Sequence, residues 1–454
     1  MATSQEANFK KVLGLSDVVG MALGQIIGAG VLIFTGIGIG MTGKGIMIAF
    51  LVAAAMTAIT ILPMAQLSSA IPTTGAAYRY SSRLLGPKWG FYWMIGLMLS
   101  KVTIALYALS FAQYLQGLVP WINVKVVALV MMTTFYVTNI VGIKSAAVAE
   151  KWMVVIKISA LAVFIIWGIP NVDFSSFTLP SLVPNGIDGL LQAIGLLAFA
   201  AVGANSIAEL GGEMKNPARD IPLAMIGSTV AVGVIYSLVG VVAVGVLPWE
   251  SVANKPLTDV ARVILPAPLL YFFIIGGALV AMATTMNAVF AWVTKGMVIA
   301  CQDGWLPKSL GAVNKKFGTP HRLLSIFYAI GVTTIIADIP MASVAKIGMG
   351  VLTAVNIIPV IAAYFLPTQY PEQLAKAKFS MKPHVLRVVV VVSVAIMAFQ
   401  AFYSMKSLPN EILLFIAGVM TAGLIYVNIV GNNARFKTSE ATSFYVDNEQ
   451  DVSE

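Results

Sequence analysis

The stretch Gly20-Met21-Ala22-Leu23-Gly24-Gln25-Ile26-Ile27-Gly28-Ala29-Gly30-Val31 decides how this chain is read. Glycines four apart, at 20, 24 and 28, let a helix pack closely against a neighbour. Gly28-Ala29-Gly30 adds something else. Two glycines around one small residue, in the middle of an apolar run, invite a helix to unwind there. Both readings stand at this point: packing glycines, or a deliberate break.

The apolar run around this stretch extends over about residues 12–40, long enough to cross a bilayer, which takes about 20 residues. Five more such runs follow at about 45–70, 90–119, 125–142, 149–170 and 187–211. Another six lie at about 222–247, 268–300, 323–338, 341–366, 386–405 and 410–432, with a very tight turn at Asp338-Ile339-Pro340. Composition agrees. Of 454 residues 59% are hydrophobic and 10% charged, and mean hydropathy is +0.89. A soluble domain carries about 25% charged residues. A water-soluble enzyme, a disordered protein and a nucleic-acid binder are therefore excluded. Met1–Lys11 is polar, without the short apolar core and cleavage site of a signal peptide.

The net charge of +9 is mainly a topology signal. With the N-terminus inside, cytoplasmic segments hold 19 of the 28 Lys and Arg, outside segments five, and the spans four. Cytoplasmic loops are the Lys/Arg-rich ones, so both termini are expected inside, with an acidic tail after Lys437. The single cysteine, Cys301, excludes an intramolecular disulfide, and no His/Cys cluster has metal-ligand spacing. Gly38-Ile39-Gly40-Met41-Thr42-Gly43 imitates a dinucleotide fingerprint, and Gly38 to Lys44 most of a P-loop. Both patterns need a preceding strand; here one membrane helix ends and another begins. With no nucleophile–base pair in view, no catalysis and no cofactor are expected.

A second weakness lies in the sixth run, at Phe199-Ala200-Ala201-Val202-Gly203-Ala204-Asn205-Ser206, followed by Gly211-Gly212. Runs one and six occupy equivalent positions if the first ten form two five-helix halves of opposite orientation. Broken hydrophobic segments in corresponding places point to a transporter's binding site. Free N–H groups at such a break suit an anion and free C=O groups a cation; an α-amino acid carries both charges.

At these residues the chain resembles the amino acid–polyamine–organocation superfamily, nearest to its L-type branch. The likeness covers the first eight spans well and the last four mainly by hydropathy. Its landmarks are Ile27-Gly28-Ala29-Gly30, Pro72-Thr73-Thr74-Gly75-Ala76-Ala77-Tyr78, Phe199 to Asn205, Glu213 to Pro222 and Asp303-Gly304-Trp305-Leu306-Pro307. The resemblance implies an all-α integral membrane protein with 12 transmembrane helices in a five-plus-five inverted-repeat (LeuT-like) fold. Helices 1 and 6 would be unwound at mid-membrane. It divides the chain into a cytoplasmic N-terminus (1–11), repeats at 12–170 and 187–366, two further helices at 386–432, and a cytoplasmic tail (433–454). It also implies that the amides of Gly28, Ala29 and Gly30, beside Ile27, hold the substrate carboxylate. The carbonyls from Phe199 through Ala200 and Val202 to Gly203 would receive the amino group. Phe199 matches a gate residue, Asn205 an asparagine that steadies the unwound part of span six, and Tyr236 a tyrosine near the site. Two departures loosen the subfamily assignment: Thr35-Gly36 stands where a proline is usual, and Gly212-Glu213 replaces a doubled acid.

Lysines inside spans cost at least about 2.5–3.5 kcal/mol on insertion scales and so are functional candidates. Lys157 has apolar neighbours and cannot snorkel easily. It matches a family lysine that sits where sodium-coupled relatives bind an ion, between spans one, five and eight, with Thr284 and Thr285 as neighbours. It would act as an ion surrogate or as a proton relay, against a structural role. Glu209 would be a vestibule carboxylate or a proton carrier, sharing a helical face with Asn205 and Glu213. Lys101, Lys295 and Lys346 are unassigned, with Lys346 placed to snorkel outward.

The expected function is sodium-independent secondary transport of neutral L-amino acids, by exchange or proton symport through alternating access. The site would lie in a prokaryotic plasma (inner) membrane. No acidic residue sits centrally in spans one, three, six or eight to pair a cationic side chain. A carrier of cationic amino acids or polyamines is the alternative, and a non-transporting sensor or channel a remote one. The expected partners are the amino acid substrate and membrane lipid, with no nucleic acid. No external cysteine is available to attach a disulfide-linked subunit.

Overall fold

The computed structural model describes residues 13–73, 75–141, 146–197, 203–209, 211, 214–314 and 316–431. Among them the secondary structure is helical, apart from an isolated β-bridge between Leu13 and Met214. This is what a lipid solvent dictates: a helix satisfies its backbone groups within one segment, whereas open strands cannot. Nine helical runs among the described residues are long and apolar enough to cross a membrane. Three shorter apolar helices, Leu15–Gly24, Gly186–Leu196 and His321–Ile336, lie in the remaining expected stretches.

The first apolar run is two helices, α1 (Leu15–Ile26) and α2 (Ala29–Thr42). The second is α3 (Ile46–Thr60) continued by α4 (Leu62–Ala70), with Pro63 at the start of α4 where its missing N–H costs nothing. Gly38 to Thr42 lie inside α2, and the glycines imitating a nucleotide motif follow helix rather than strand. After α5 (Ala76–Leu84), the third run is also divided, into α6 (Pro87–Ser100) and α7 (Thr103–Gln116). Then come α8 (Val124–Val141), α9 (Ala146–Gly168) and α10 (Gly186–Leu196).

The 29-residue α11 (Pro217–Gly245) follows. The eighth run opens with a π-helical segment, Phe272–Leu279, and continues as α12 (Val280–Gln302). Helices α13 (His321–Ile336) and α14 (Met341–Gln369) are joined by the expected tight turn, in which Asp338 adopts φ 56°. The chain closes with α15 (Pro383–Met405) and α16 (Asn410–Val430).

These elements put α1 at the centre. It packs against α9, α11 and α12, while α14 lies along α15, α6 and α5. The break between α1 and α2 is thereby walled in by three helices from distant parts of the chain.

Candidate substrate site

The helix break falls at Ile27 and Gly28, one residue earlier than a break centred on Ala29. Ile27 has ψ 81° and Gly28 φ −147°, ψ −116°, and Ala29 already begins α2. At the C-terminal end of α1 the carbonyls lose their usual helical partners. Leu23 O keeps its ordinary helical donor, Ile27 N, at 2.7 Å. Two others find substitutes: Ile26 O accepts from Gly28 N (3.0 Å) and from the Tyr236 hydroxyl (2.5 Å). Because the Gly28 amide turns to Ile26, Gly24 O is left open, and Lys157 Nζ donates to it at 3.0 Å.

Lys157 is 1% exposed and also donates to Thr284 Oγ1 at 3.0 Å. It therefore ties α9 to α1 and α12, the three spans expected from sequence. A cation at a helix C-terminus meets the negative end of the macrodipole, and charged hydrogen bonds contribute about 1.5–3 kcal/mol each. Those gains offset the cost of burying an ammonium.

At the N-terminal end of α2 no side chain caps the helix, so its first amides point into the break, the arrangement that favours an anion. Gly28 itself does not share that role freely, since its N–H is taken by Ile26 O. Phe50 meets the Tyr236 ring edge-on at 5.5 Å and fixes it.

The glycines are not alike. A Cβ on Gly20 would meet nothing within 4 Å, so this position is not a packing glycine. A Cβ on Gly28 would collide with Thr285 Oγ1 and come within 3.1 Å of Thr285 Cβ. Among the described residues Thr285 Oγ1, directly against the break, is buried without a hydrogen-bond partner. The adjacent threonines thus divide: Thr284 receives Lys157, and Thr285 faces Gly28. Gly203 brings in the sixth run, because a Cβ there would lie 2.8 Å from Ile26 N and 2.9 Å from Ile26 Cα. The backbone after the second weak stretch therefore rests on the backbone at the first break.

Phe199, Ala200 and Val202 lie outside the described residues. Beyond Gly203 the helical turn changes to a 3-10 segment, Ser206–Glu209, so residues 205 and 209 do not follow the α-helical face counted from sequence; Glu213 lies outside the described residues. The Glu209 side chain lies outside what is described. Asn205 and Ser206 line a cavity of about 40 Å3 with Leu97, Trp292, Leu352, Asn356 and others. That is room for a few water molecules. Its polar groups are set by a Trp93 Nε1 to Asn356 Oδ1 hydrogen bond of 2.8 Å, while Asn205 Oδ1 and Trp292 Nε1 are buried without hydrogen-bond partners among the described residues. Sequence reasoning missed Trp93, Trp292 and Asn356; a polar side chain deep in the long α14 was the available signal.

Two landmark motifs also meet. Tyr78 donates to Asp303 Oδ2 at 2.6 Å, joining α5 to the end of α12. Burial pushes the Asp303 carboxyl up, with Tyr78, Arg79 and Arg83 acting in the opposite direction. Burial and the Asp303 charge push the Tyr78 hydroxyl well above its usual value. Lys346 reaches Ser407 Oγ at 2.7 Å, and Lys295 is half-buried on α12. Among the described residues no group of three His, Cys, Asp or Glu is placed to hold a metal.

The model of a family described as amino acid permease matches residues 13–425. A branched-chain amino acid permease from Bacillus subtilis is 28% identical over 79% of this chain and 82% of its own length. A methylthioribose transporter from the same organism is 26% identical over 94% of both chains. A protein named cationic amino acid transporter 3, mitochondrial, from Arabidopsis thaliana is 25% identical over 68% of this chain and 55% of its own. The chain belongs to the amino acid permease family and is a multi-pass membrane transporter rather than an enzyme.

Proposed function

We propose that the protein is a sodium-independent secondary transporter of neutral L-amino acids, working by exchange or proton symport through alternating access. The observation that carries the reading is the break at Ile27–Gly28, with Gly203 against Ile26 and Lys157 on the Gly24 carbonyl. The substrate carboxylate meets the open amides of Ala29 and Gly30, next to Gly28. Its amino group meets the carbonyls between Phe199 and Gly203, with Phe199 closing over it and Asn205 holding the turn. The proposal carries with it the 12-helix, five-plus-five inverted-repeat arrangement, with both termini cytoplasmic, in a bacterial inner membrane.

Lys157 supplies a fixed positive charge among α1, α9 and α12, so no mobile sodium ion is required there. A lysine in such a place can also release and regain a proton during the cycle. Tyr236 holds the Ile26 side of the break from α11.

The test is uptake into sodium-free liposomes preloaded with mixed amino acids, using labelled alanine, leucine, tyrosine and arginine. Saturable uptake of at least one neutral amino acid, unchanged by added sodium, is expected. Uptake of none of the three neutral substrates sinks the proposal. Uptake of arginine alone supports the cationic reading.

A further inference from the structure

Lys101 is one of three buried lysines among the described residues, with Lys44 and Lys157. It is 3% exposed and sits where α6 ends, its own ψ of 3° interrupting the helix before α7 begins. Its backbone is accounted for: its N–H donates to Met98 O and its carbonyl accepts from Ile104 N, both at 3.0 Å. The ammonium is another matter. It lies over the Trp292 ring, 4.4 Å from the centroid. Among the described residues its Nζ has no hydrogen bond and no ion pair.

That charge stands next to the cavity. Trp292 lines the cavity, and Leu97, one helical turn before Lys101, lines it too. Asn205 and Ser206 on the opposite wall follow directly from Gly203, which rests on the break in the first span. A cation on a tryptophan face is partly stabilised by the ring quadrupole, and among the described residues no carboxylate is paired with it. We infer that Lys101, held on Trp292, is a specificity-determining residue: a positive charge beside the cavity disfavours amino acids with cationic side chains. It acts across the indole and does not touch the substrate.

At an effective dielectric of about 20, like charges about 10 Å apart repel enough to weaken relative affinity roughly tenfold. Low exposure means that salt screens this little. A neutral side chain feels no such penalty.

The inference rests on the proposed transport of neutral amino acids, so the experiment separates the two. Initial uptake of labelled leucine and labelled arginine is measured in sodium-free proteoliposomes for wild type, Lys101→Met and Lys101→Arg. The wild type should favour leucine, Lys101→Arg should keep that preference, and Lys101→Met should raise the arginine-to-leucine ratio at least tenfold. An unchanged ratio in Lys101→Met overturns the assignment. So does a wild type whose leucine uptake is inhibited equally well by unlabelled arginine and unlabelled leucine. This second arm decides the question even if the methionine variant fails to fold. A wild type that transports arginine and leucine alike refutes only the role of Lys101, whereas one that transports no neutral amino acid overturns both readings.

Discussion

Replacing Lys157 by methionine isolates the charge from the packing, since the unbranched thioether side chain retains most of the apolar volume. The perturbation removes the donors to Gly24 O and Thr284 Oγ1. Thr284 keeps its bond to Ala281 O at 3.0 Å, so the hydroxyl is not orphaned. Gly24 O is, because the Gly28 amide that would close the helix is committed to Ile26 O. A buried carbonyl without a partner costs about 1–3 kcal/mol. The loss of a cation from the end of α1 adds up to about 2 kcal/mol, and the relief of no longer burying an ammonium offsets part of the total. A net loss of about 1–3 kcal/mol is expected. With about 2 cal/mol/K per residue of unfolding entropy over the chain, that lowers the melting midpoint by roughly 1–3 °C. The effect on transport should be larger than on folding, because the orphaned carbonyl lies at the hinge between α1 and α2. A 1.4 kcal/mol shift in the hinge equilibrium is about tenfold in rate. Melting is followed by intrinsic fluorescence in detergent and transport by uptake into liposomes. If Lys157→Met melts at the wild-type midpoint and transports at the wild-type rate, the charge does not hold the break and the reasoning is wrong.

Three further outcomes follow from other contacts. Gly28→Ala should lose uptake and about 1–3 kcal/mol of stability by overpacking against Thr285, and adding Thr285→Ala should restore part of both; strictly additive losses in a double-mutant cycle would contradict the contact. Tyr236→Phe removes a bond to Ile26 O that Gly28 N also fills, so a stability loss of only about 0.5–1.5 kcal/mol is expected in thermal melts, together with weaker substrate-induced stabilisation; undiminished stabilisation counts against a role for the hydroxyl. Because burial raises Asp303, the folded state holds its proton more tightly than the unfolded one. The stability this provides is complete below the unfolded value of about 4 and is lost as pH rises through the raised folded value. Melting midpoints of the wild type should therefore fall over that window and those of Asp303→Asn should not; parallel curves would contradict the burial of the carboxyl.

The break in the first span could be seen in the sequence because glycine has a local, chain-level effect: Gly28 and Gly30 lower the cost of leaving the helix wherever they stand. Its position shifted by one residue because a hydrogen bond decided it. With Gly28 N on Ile26 O, the turn closes at Ile27–Gly28 and α2 starts at Ala29. Lys157 could be seen because a lone cation in an apolar run has few places to go. Which threonine it meets could not, since adjacent residues on a helix point about 100° apart and the rotation of α12 is set by packing. The break at Lys101–Val102 carries no glycine or proline, and the π-helical segment before α12 has only Gly276-Gly277 to announce it. Both are products of tertiary fit. Tyr78 and Asp303 stood in recognised motifs, yet their pairing joins positions 225 residues apart, and nothing in either motif specifies the partner.

The central claim is that the break at Ile27–Gly28 holds the carboxylate of an amino acid. Thermal-shift titration of the purified protein with L-leucine, and with L-leucinamide, which lacks the carboxylate, tests it directly. Saturable stabilisation by leucine is expected, with little or none by leucinamide, and loss of the leucine response in Gly28→Val. Equal stabilisation by leucine and leucinamide, or a full leucine response in Gly28→Val, would contradict it.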